Sequence, residues 1–259
     1  YKDWLYILVL IILAIYIPHI MLFYLVCGLI DFTRSKVYDF ENWKRYFIGN
    51  GLLTWILSPF NLLMDLLSYK NKRIYKLEDL PNECQQELNK IFEIAQNKPE
   101  IIDTLSSMME EKRRGMIFFK WYGRNINTSI NIQEFHEEFK YVNTIGVSIF
   151  NKNQRTSVHY GPLRVTFRVL YNLIPAHNDN IYIKVAEHIH KWHDNPAFVF
   201  DDTLVHQSVN DSDNFRYVLF IDILRPGRYL KLMKFLLNIL RFCLISVNRI
   251  FYKNWDMIK

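Results

Sequence analysis

Three cysteines in 259 residues, at Cys27, Cys84 and Cys243, are too few and too scattered for a disulfide framework. They agree instead with a reducing compartment such as cytosol. The chain has no internal repeat and no low-complexity tract, so neither a solenoid nor a disordered tail is expected. It has no recognised nucleic-acid motif. The net charge is +6, but the basic residues follow apolar stretches, so nucleic acid is not an expected partner. Charge is missing altogether from Leu5 to Ile30, where only Pro18 and His19 interrupt an apolar run. What is abundant is apolar and aromatic: 50% of the residues are hydrophobic and 16% are Phe, Trp or Tyr.

The uncharged run is long enough for a transmembrane helix, since about 20 apolar residues span a bilayer. A cleaved signal peptide would need a shorter apolar core and a small-residue cleavage site, and neither is present. Lys2 precedes the run while Arg34, Lys36, Lys44 and Arg45 follow it. That bias predicts a single-pass membrane anchor with the body of the protein in the cytoplasm. A second apolar stretch, Tyr46 to Leu67, is broken by Gly49, Gly51 and Pro59 and carries Trp55. It reads as a segment lying at the membrane interface, with a buried helical pair as the competing reading. The C-terminal stretch, Tyr229 to Tyr252, has helical periodicity. Lys231, Lys234, Asn238, Arg241 and Asn248 share one face, and Leu230, Met233, Leu236, Leu237, Leu240, Leu244 and Val247 fill the rest. A basic stripe beside a broad apolar face suits a helix on an anionic membrane surface.

Between these segments, Glu78–Asn97 and Glu100–Arg113 read as helices, the first with Leu88, Ile91, Phe92 and Ala95 on one face. From Met116 the hydrophobic period changes to two. Candidate strands are Met116–Tyr122, Tyr141–Phe150, Leu163–Ile174, Asn180–Ala186, Ala197–Phe200 and Arg216–Leu224. Many short strands after two helices predict a mainly β fold, a double-stranded β-helix or jelly roll, with helices bracing one sheet. The expected division is an anchor over 1–33, an interfacial segment over 34–76, the jelly-roll domain over 77–228 and a membrane-surface helix over 229–259.

The chemistry is concentrated in His159-Tyr160-Gly161-Pro162 and in Phe200 to His206, followed by Arg216. Histidines so far apart can meet only if strands of one sheet or barrel bring them together. Two histidines and a carboxylate with open positions form the facial site of non-haem Fe(II) oxygenases. An arginine on the next strand offers a forked donor for a dicarboxylate. His19, His136 and His177 read as ordinary structural histidines. His188 and His190 share a strand face while His193 sits in a turn, which makes a poor metal cluster. Asp201 and Asp202 read as orienting the loop that carries His206, and Arg164 and Arg225 read equally well as surface residues.

From Ser148 to Pro226 the chain resembles the aspartyl/asparaginyl β-hydroxylase family of Fe(II)/2-oxoglutarate oxygenases, including its members that hydroxylate lipid A acyl chains. Ser148, His159 to Pro162, Arg168, Phe200 to His206, Asn210, Arg216, Asp222, Arg225 and Pro226 carry the likeness in order. Leu170 and Gly161 depart from it: relatives often have histidine at the first position, and the lipid A hydroxylases tend to have aspartate at the second. The resemblance implies that His159 and His206 hold Fe(II) and that Arg216, with Ser148 and Arg168, binds 2-oxoglutarate. With Gly161 supplying no carboxylate, water would fill the third ligand place.

The expected function is a membrane-anchored dioxygenase that consumes O2 and 2-oxoglutarate to hydroxylate a lipid acyl chain, lipid A-like or otherwise. A protein aspartyl/asparaginyl β-hydroxylase is the first alternative. It would act in a secretory lumen, where the sequons at Asn127 and Asn210 would meet glycosylation enzymes. A non-enzymatic membrane protein with a jelly-roll domain is the second.

Overall fold

The structure is a computed structural model that describes residues 2–109, 112–251 and 255–258, with no side-chain detail at residues 2, 3, 5 and 242–251. The side chains of Cys243, Leu244, Val247 and Asn248, and Tyr252 altogether, therefore fall outside what is described. Five helices open the chain: α1 (Lys2–Tyr16), α2 (Pro18–Phe32), α3 (Phe40–Phe47), α4 (Leu52–Ile56) and α5 (Ser58–Leu67). After strand β1 (Ile74–Tyr75) come α6 (Asn82–Gln96) and α7 (Glu100–Ser107). The β region follows as β2 (Arg114–Trp121), β3 (Arg124–Asn125), β4 (Val142–Phe150), β5 (Gln154–Arg155), β6 (Thr166–Asn172) and β7 (Ile181–Val185). It continues with β8 (His188–Lys191), β9 (Ala197–Phe200), β10 (His206–Asn210) and β11 (Arg216–Leu224), before α8 (Leu230–Phe251) and β12 (Asp256–Met257).

The strands form two sheets. The larger runs β1-β9-β6-β11-β4-β2-β12 with β3 beside β2, and the smaller runs β5-β10-β7-β8. Every pairing is antiparallel except that of β12 with β2. Side chains alternate across a strand, so each strand of the larger sheet serves two cores. Val147 and Ile149, Phe167 and Val169, and Leu219 and Ile221 pack outward against Leu88, Ile91 and Phe92 of α6 and Ile101 and Leu105 of α7. Leu170, Phe198, Phe200, Val218 and Phe220 point inward, with Ile181, Ile183 and Val185 of the smaller sheet. This is the jelly roll with helices bracing one sheet that the periodicity predicts. The same alternation puts Ser148, Arg168 and Arg216 between the sheets.

The membrane-anchor expectation is corrected. Among the described residues no helix is long and apolar enough to cross a membrane. The uncharged run breaks at Ile17 (φ −134°, ψ 57°), because Pro18 has no N–H to continue the hydrogen-bond ladder. Two helices of 15 residues result, each about 22 Å long against a hydrocarbon core of roughly 30 Å. The flanking-charge argument for a cytoplasmic body then has no span to orient.

The 34–76 segment has one buried side and one exposed side, the latter with Tyr38, Phe40, Ile56 and Leu66. Trp55 is buried, its indole N–H donating to the Tyr24 carbonyl at 2.9 Å, and Met64, Asn61 and Ser58 of α5 are fully buried. That buried side packs on the body, and β1 joins the larger sheet. At the other end, α8 buries Met233 and Leu237 in the inter-sheet core. Its Lys234 and Arg241 donate to the carbonyls of Phe139 (3.5 Å) and Tyr122 (3.3 Å). Of the expected basic stripe Lys231 and Lys234 are exposed, as are Leu232 and Phe235, while Arg241 is half-buried against the body.

Candidate metal centre and co-substrate pocket

His159 and His206 face each other as an antiparallel bridge at the margin of the smaller sheet. The N–H of His159 donates to the His206 carbonyl at 3.0 Å, and the reverse bond is 2.8 Å. Their rings lie 4.1 Å apart between centroids. Each ring is set by its own backbone: His159 Nδ1 donates to the Ser157 carbonyl at 2.7 Å, and His206 Nδ1 to Leu204 at 2.8 Å. That fixes the tautomer and leaves both Nε2 lone pairs for a metal. Burial, followed by the neighbouring His206, lowers the His159 pKa to about 3, and burial lowers that of His206 to about 4. Both imidazoles are therefore neutral near pH 7, as ligation requires.

A carboxylate accompanies them. Asp202 Oδ1 is 3.3 Å from His206 Nε2, is buried, and has no hydrogen-bond partner. A Cβ at Gly161 would fall on the Asp202 carboxylate, so the missing side chain at 161 is what makes room for it. Among the described residues no group of three or more His, Cys, Asp or Glu side chains is placed to hold a metal ion, so the site is two histidines with Asp202 beside them. The two aspartates, paired in the sequence reading, have different duties. Asp201 does orient the loop, accepting from Thr203 N–H (3.0 Å), Arg34 (2.8 Å) and Asn71 (2.6 Å). Asp202 faces the histidines.

Arg216 lies deeper, between the sheets. It donates to Ser208 Oγ at 2.9 Å and sits over the rings of Trp192 (4.6 Å) and Phe150 (5.1 Å). Its Nε is buried without a partner, and burial lowers its pKa to about 9. Among the described residues no carboxylate pairs with it. An isolated buried guanidinium is costly, and a dicarboxylate ligand would offset that cost. Ser148, His159, Arg168, His206 and Arg216 line one small cavity, so the sequence-predicted residues do converge. Leu170, in the place where relatives often carry histidine, lines the same space. Arg168 is already engaged: its Nε donates to Asp222 at 2.7 Å, directly across the β6–β11 ladder, and its Nη2 meets Asp202 at 3.2 Å.

Residues 82–226 match the aspartyl/asparaginyl β-hydroxylase family. The chain belongs to that family. Over 104 residues it is 31% identical to the ornithine lipid ester-linked acyl 2-hydroxylase of Rhizobium tropici, a match covering 40% of this chain and 37% of the relative. The chain thus spans well under half the length of that curated relative. Solved structures are more distant. A 2OG-Fe(II) oxygenase family oxidoreductase from Burkholderia pseudomallei aligns with TM-score 0.28 and 14% identity, over 37% of this chain and 48% of the other. A cupin domain from Bordetella pertussis gives TM-score 0.27 and 16% identity, over 43% and 96%. The jelly-roll assignment rests on the strand pairings themselves.

This member of the hydroxylase family holds its first-histidine loop from outside the jelly roll. Asn50 donates to the Val158 carbonyl (2.8 Å), Thr54 to Gly161 (3.0 Å) and Asn61 to Pro162 (3.0 Å). Tyr160 donates to Asn42 at 2.8 Å. Arg164 and Arg225, which read as surface residues in the sequence, are both fully buried. Arg164 binds Asp31 of α2 and Asp65 of α5 (2.9 Å), and Arg225 binds Asp65 at 2.5 Å. Burial alone would lower the Arg164 pKa, but Asp31, Asp201 and Asp65 hold it above the usual arginine value. Sequence reading missed this clamp because its polar pairs lie about a hundred residues or more apart. It also missed Trp255, which lines the histidine cavities and packs on Phe150 at 5.2 Å. The His188–His193 group is elsewhere: His188 and His190 stack on Phe198, and His193 contacts Asp179 and Asp194.

Proposed function

We propose that this chain is an Fe(II)- and 2-oxoglutarate-dependent dioxygenase that hydroxylates an acyl chain of a membrane lipid. The reciprocal pairing of His159 with His206, both neutral and both with Nε2 free, is the observation that carries the reading. Neutral imidazoles suit Fe(II), and the unpartnered Asp202 oxygen beside His206 would add a carboxylate of suitable chemistry near the metal. Fe(II) with bound 2-oxoglutarate would supply O2 activation and attack on an unactivated carbon. The protein's own residues position and enclose. The Ser157 and Leu204 carbonyls hold the imidazoles, and Arg168 holds Asp202. Arg216 would take the distal carboxylate of 2-oxoglutarate, with Ser148 beside it. Phe150, Trp192 and Trp255 keep water from the inner end.

A lipid substrate is supported by the ornithine lipid hydroxylase relative and by a cavity of ≈ 440 Å³ whose walls include Leu52, Leu53, Ile56, Tyr160 and Pro162 beside His159. The net charge of +6 favours an anionic membrane surface. The rival, hydroxylation of Asp or Asn side chains in proteins of a secretory lumen, loses one of its markers. Asn210 is fully buried and its amide donates to the Asn151 and Asn214 carbonyls, so that sequon is closed to glycosylation in the folded protein. The test is succinate release by the purified chain with Fe(II), 2-oxoglutarate and either acyl lipids or Asp- and Asn-containing peptides. Mass spectrometry reads the added oxygen. Turnover of peptides alone would overturn the lipid reading, and no turnover of any substrate with iron bound would favour a protein that has lost activity.

A further inference from the structure

The uncharged helices do not run on past the bend; they double back. Tyr6 of α1 donates from its hydroxyl to the Phe47 carbonyl at 3.3 Å, and the Phe47 ring lies 3.1 Å from where a Cβ on Gly28 of α2 would be. A straight helix would hold Tyr6 and Gly28 about 33 Å apart, at 1.5 Å per residue. Both arms touch one residue, so α1 and α2 make a V with its apex at Ile17-Pro18. Charged residues stand only at the open end: Lys2 and Asp3 on one arm, Asp31 and Arg34 on the other. The arms expose Trp4, Leu8, Ile11, Ile15, Ile20 and Phe23, each at least half exposed, and water is a poor solvent for so large a patch.

The open end carries what a lipid surface would meet. Tyr38, Phe40 and Trp43 are exposed there, Phe40 stacked on Trp43, with Lys36 and Lys44 beside them. Amphipathic aromatics with basic residues are the composition of a headgroup layer contact. The V is also fixed to the site. Trp55 of α4 is wedged against Gly28 and bonds the Tyr24 carbonyl, while Leu52, Leu53 and Ile56 of the same short helix wall the His159 cavity. Asp31, at the foot of α2, is ion-paired to buried Arg164.

We propose that α1 and α2 form a re-entrant wedge that enters one leaflet of an anionic bilayer without crossing it, and that an acyl chain passes from that leaflet over α4 into the His159 cavity. The second half rests on the lipid reading above; the first does not. Both arms of the wedge return to one side of the membrane, since Tyr6 and Gly28 meet at Phe47. The portal is Ile56, 47% exposed on the helix that joins wedge to cavity.

The experiment adds the purified full chain, with epitope tags ahead of Tyr1 and after Lys259, to sealed vesicles of phosphatidylcholine with phosphatidylglycerol. The wedge predicts co-sedimentation, with both tags open to external protease. It also predicts that the variant carrying Ile11→Asp, Ile15→Asp and Phe23→Asp loses vesicle binding at least tenfold while still binding Co(II) and turning over detergent-dispersed lipid. Protection of the N-terminal tag, or normal sedimentation of that variant, would overturn the wedge. Ile56→Trp should raise KM for vesicle lipid several-fold with sedimentation unchanged, and an unchanged KM would overturn the portal. If the chain binds vesicles through α1–α2 but oxidises only peptides, acyl delivery and the lipid reading fail together and the wedge stands.

Discussion

Gly161 and Asp202 share one volume: the carboxylate of Asp202 stands where a side chain at 161 would project, and the Gly161 N–H donates to the Asp202 carbonyl at 2.8 Å. The second-histidine loop thus places a carboxylate in the space that a side chain on the first-histidine loop would occupy. Gly161→Ala should collide with Asp202 and destabilise the fold by about 1–3 kcal/mol, the usual cost of overpacking. Co(II) binding should weaken with it. Asp202→Asn keeps the volume and removes the charge, and should weaken Co(II) binding with the fold intact, as titration of cobalt absorbance would read; unchanged binding would place Asp202 outside the metal site.

His159→Ala and His206→Ala should each abolish Co(II) or Fe(II) binding, because few donors converge there. His190→Ala, which removes a ring stacked on Phe198 at 4.4 Å, should cost stability but not metal. Metal content after dialysis distinguishes the two effects.

Acid should destabilise the metal-free protein through these same rings. His159, His206 and His190 have folded pKa values lowered from 6.5 to about 3, 4 and 4, so the unfolded chain binds more protons as pH falls below 6.5. Stability from keeping them neutral is complete above pH 6.5 and is lost as pH falls toward 4. The melting temperature of the apo protein should decline across that window, and His190→Phe should flatten the decline.

Arg216 is a buried cation whose Nε has no partner, a stability cost that a bound dicarboxylate would offset. Arg216→Met removes an unpaired buried charge and should raise the thermal stability of the protein without ligand by about 1 kcal/mol or more. It should also remove 2-oxoglutarate binding. Arg216→Lys keeps charge but loses the fork, and should weaken 2-oxoglutarate with metal still held. Calorimetric titration with 2-oxoglutarate decides; unchanged affinity in both variants would move the carboxylate site away from Arg216.

Asp31→Ala should cost roughly 3–5 kcal/mol in urea unfolding, because it strips a partner from the buried Arg164 guanidinium. Breaking the exposed Arg155–Asp211 pair should cost under about 1 kcal/mol. Equal costs would mean that the clamp between the N-terminal helices and the His159 loop carries little energy.

The sequence by itself determined the jelly roll and its bracing helices, while the set Ser148, His159, Arg168, His206 and Arg216, picked out by the family resemblance, is brought to one cavity by the fold. Period-two alternation assigns each strand residue to a face, and that rule is local, so a single sequence suffices for it. Other features were decided only by tertiary structure. The uncharged run from Leu5 to Ile30 has one composition whether it crosses a bilayer or folds back, and the bend at Ile17 with its return to Phe47 settles which. Trp55, Arg164 and Arg225 look like interface or surface residues until partners far away in the chain bury them. Asp202 reads as a loop residue until Gly161 is placed beside it. In each case the deciding quantity is a pairing between distant segments, and pairings of that kind leave no period and no motif in the sequence for a local reading to find.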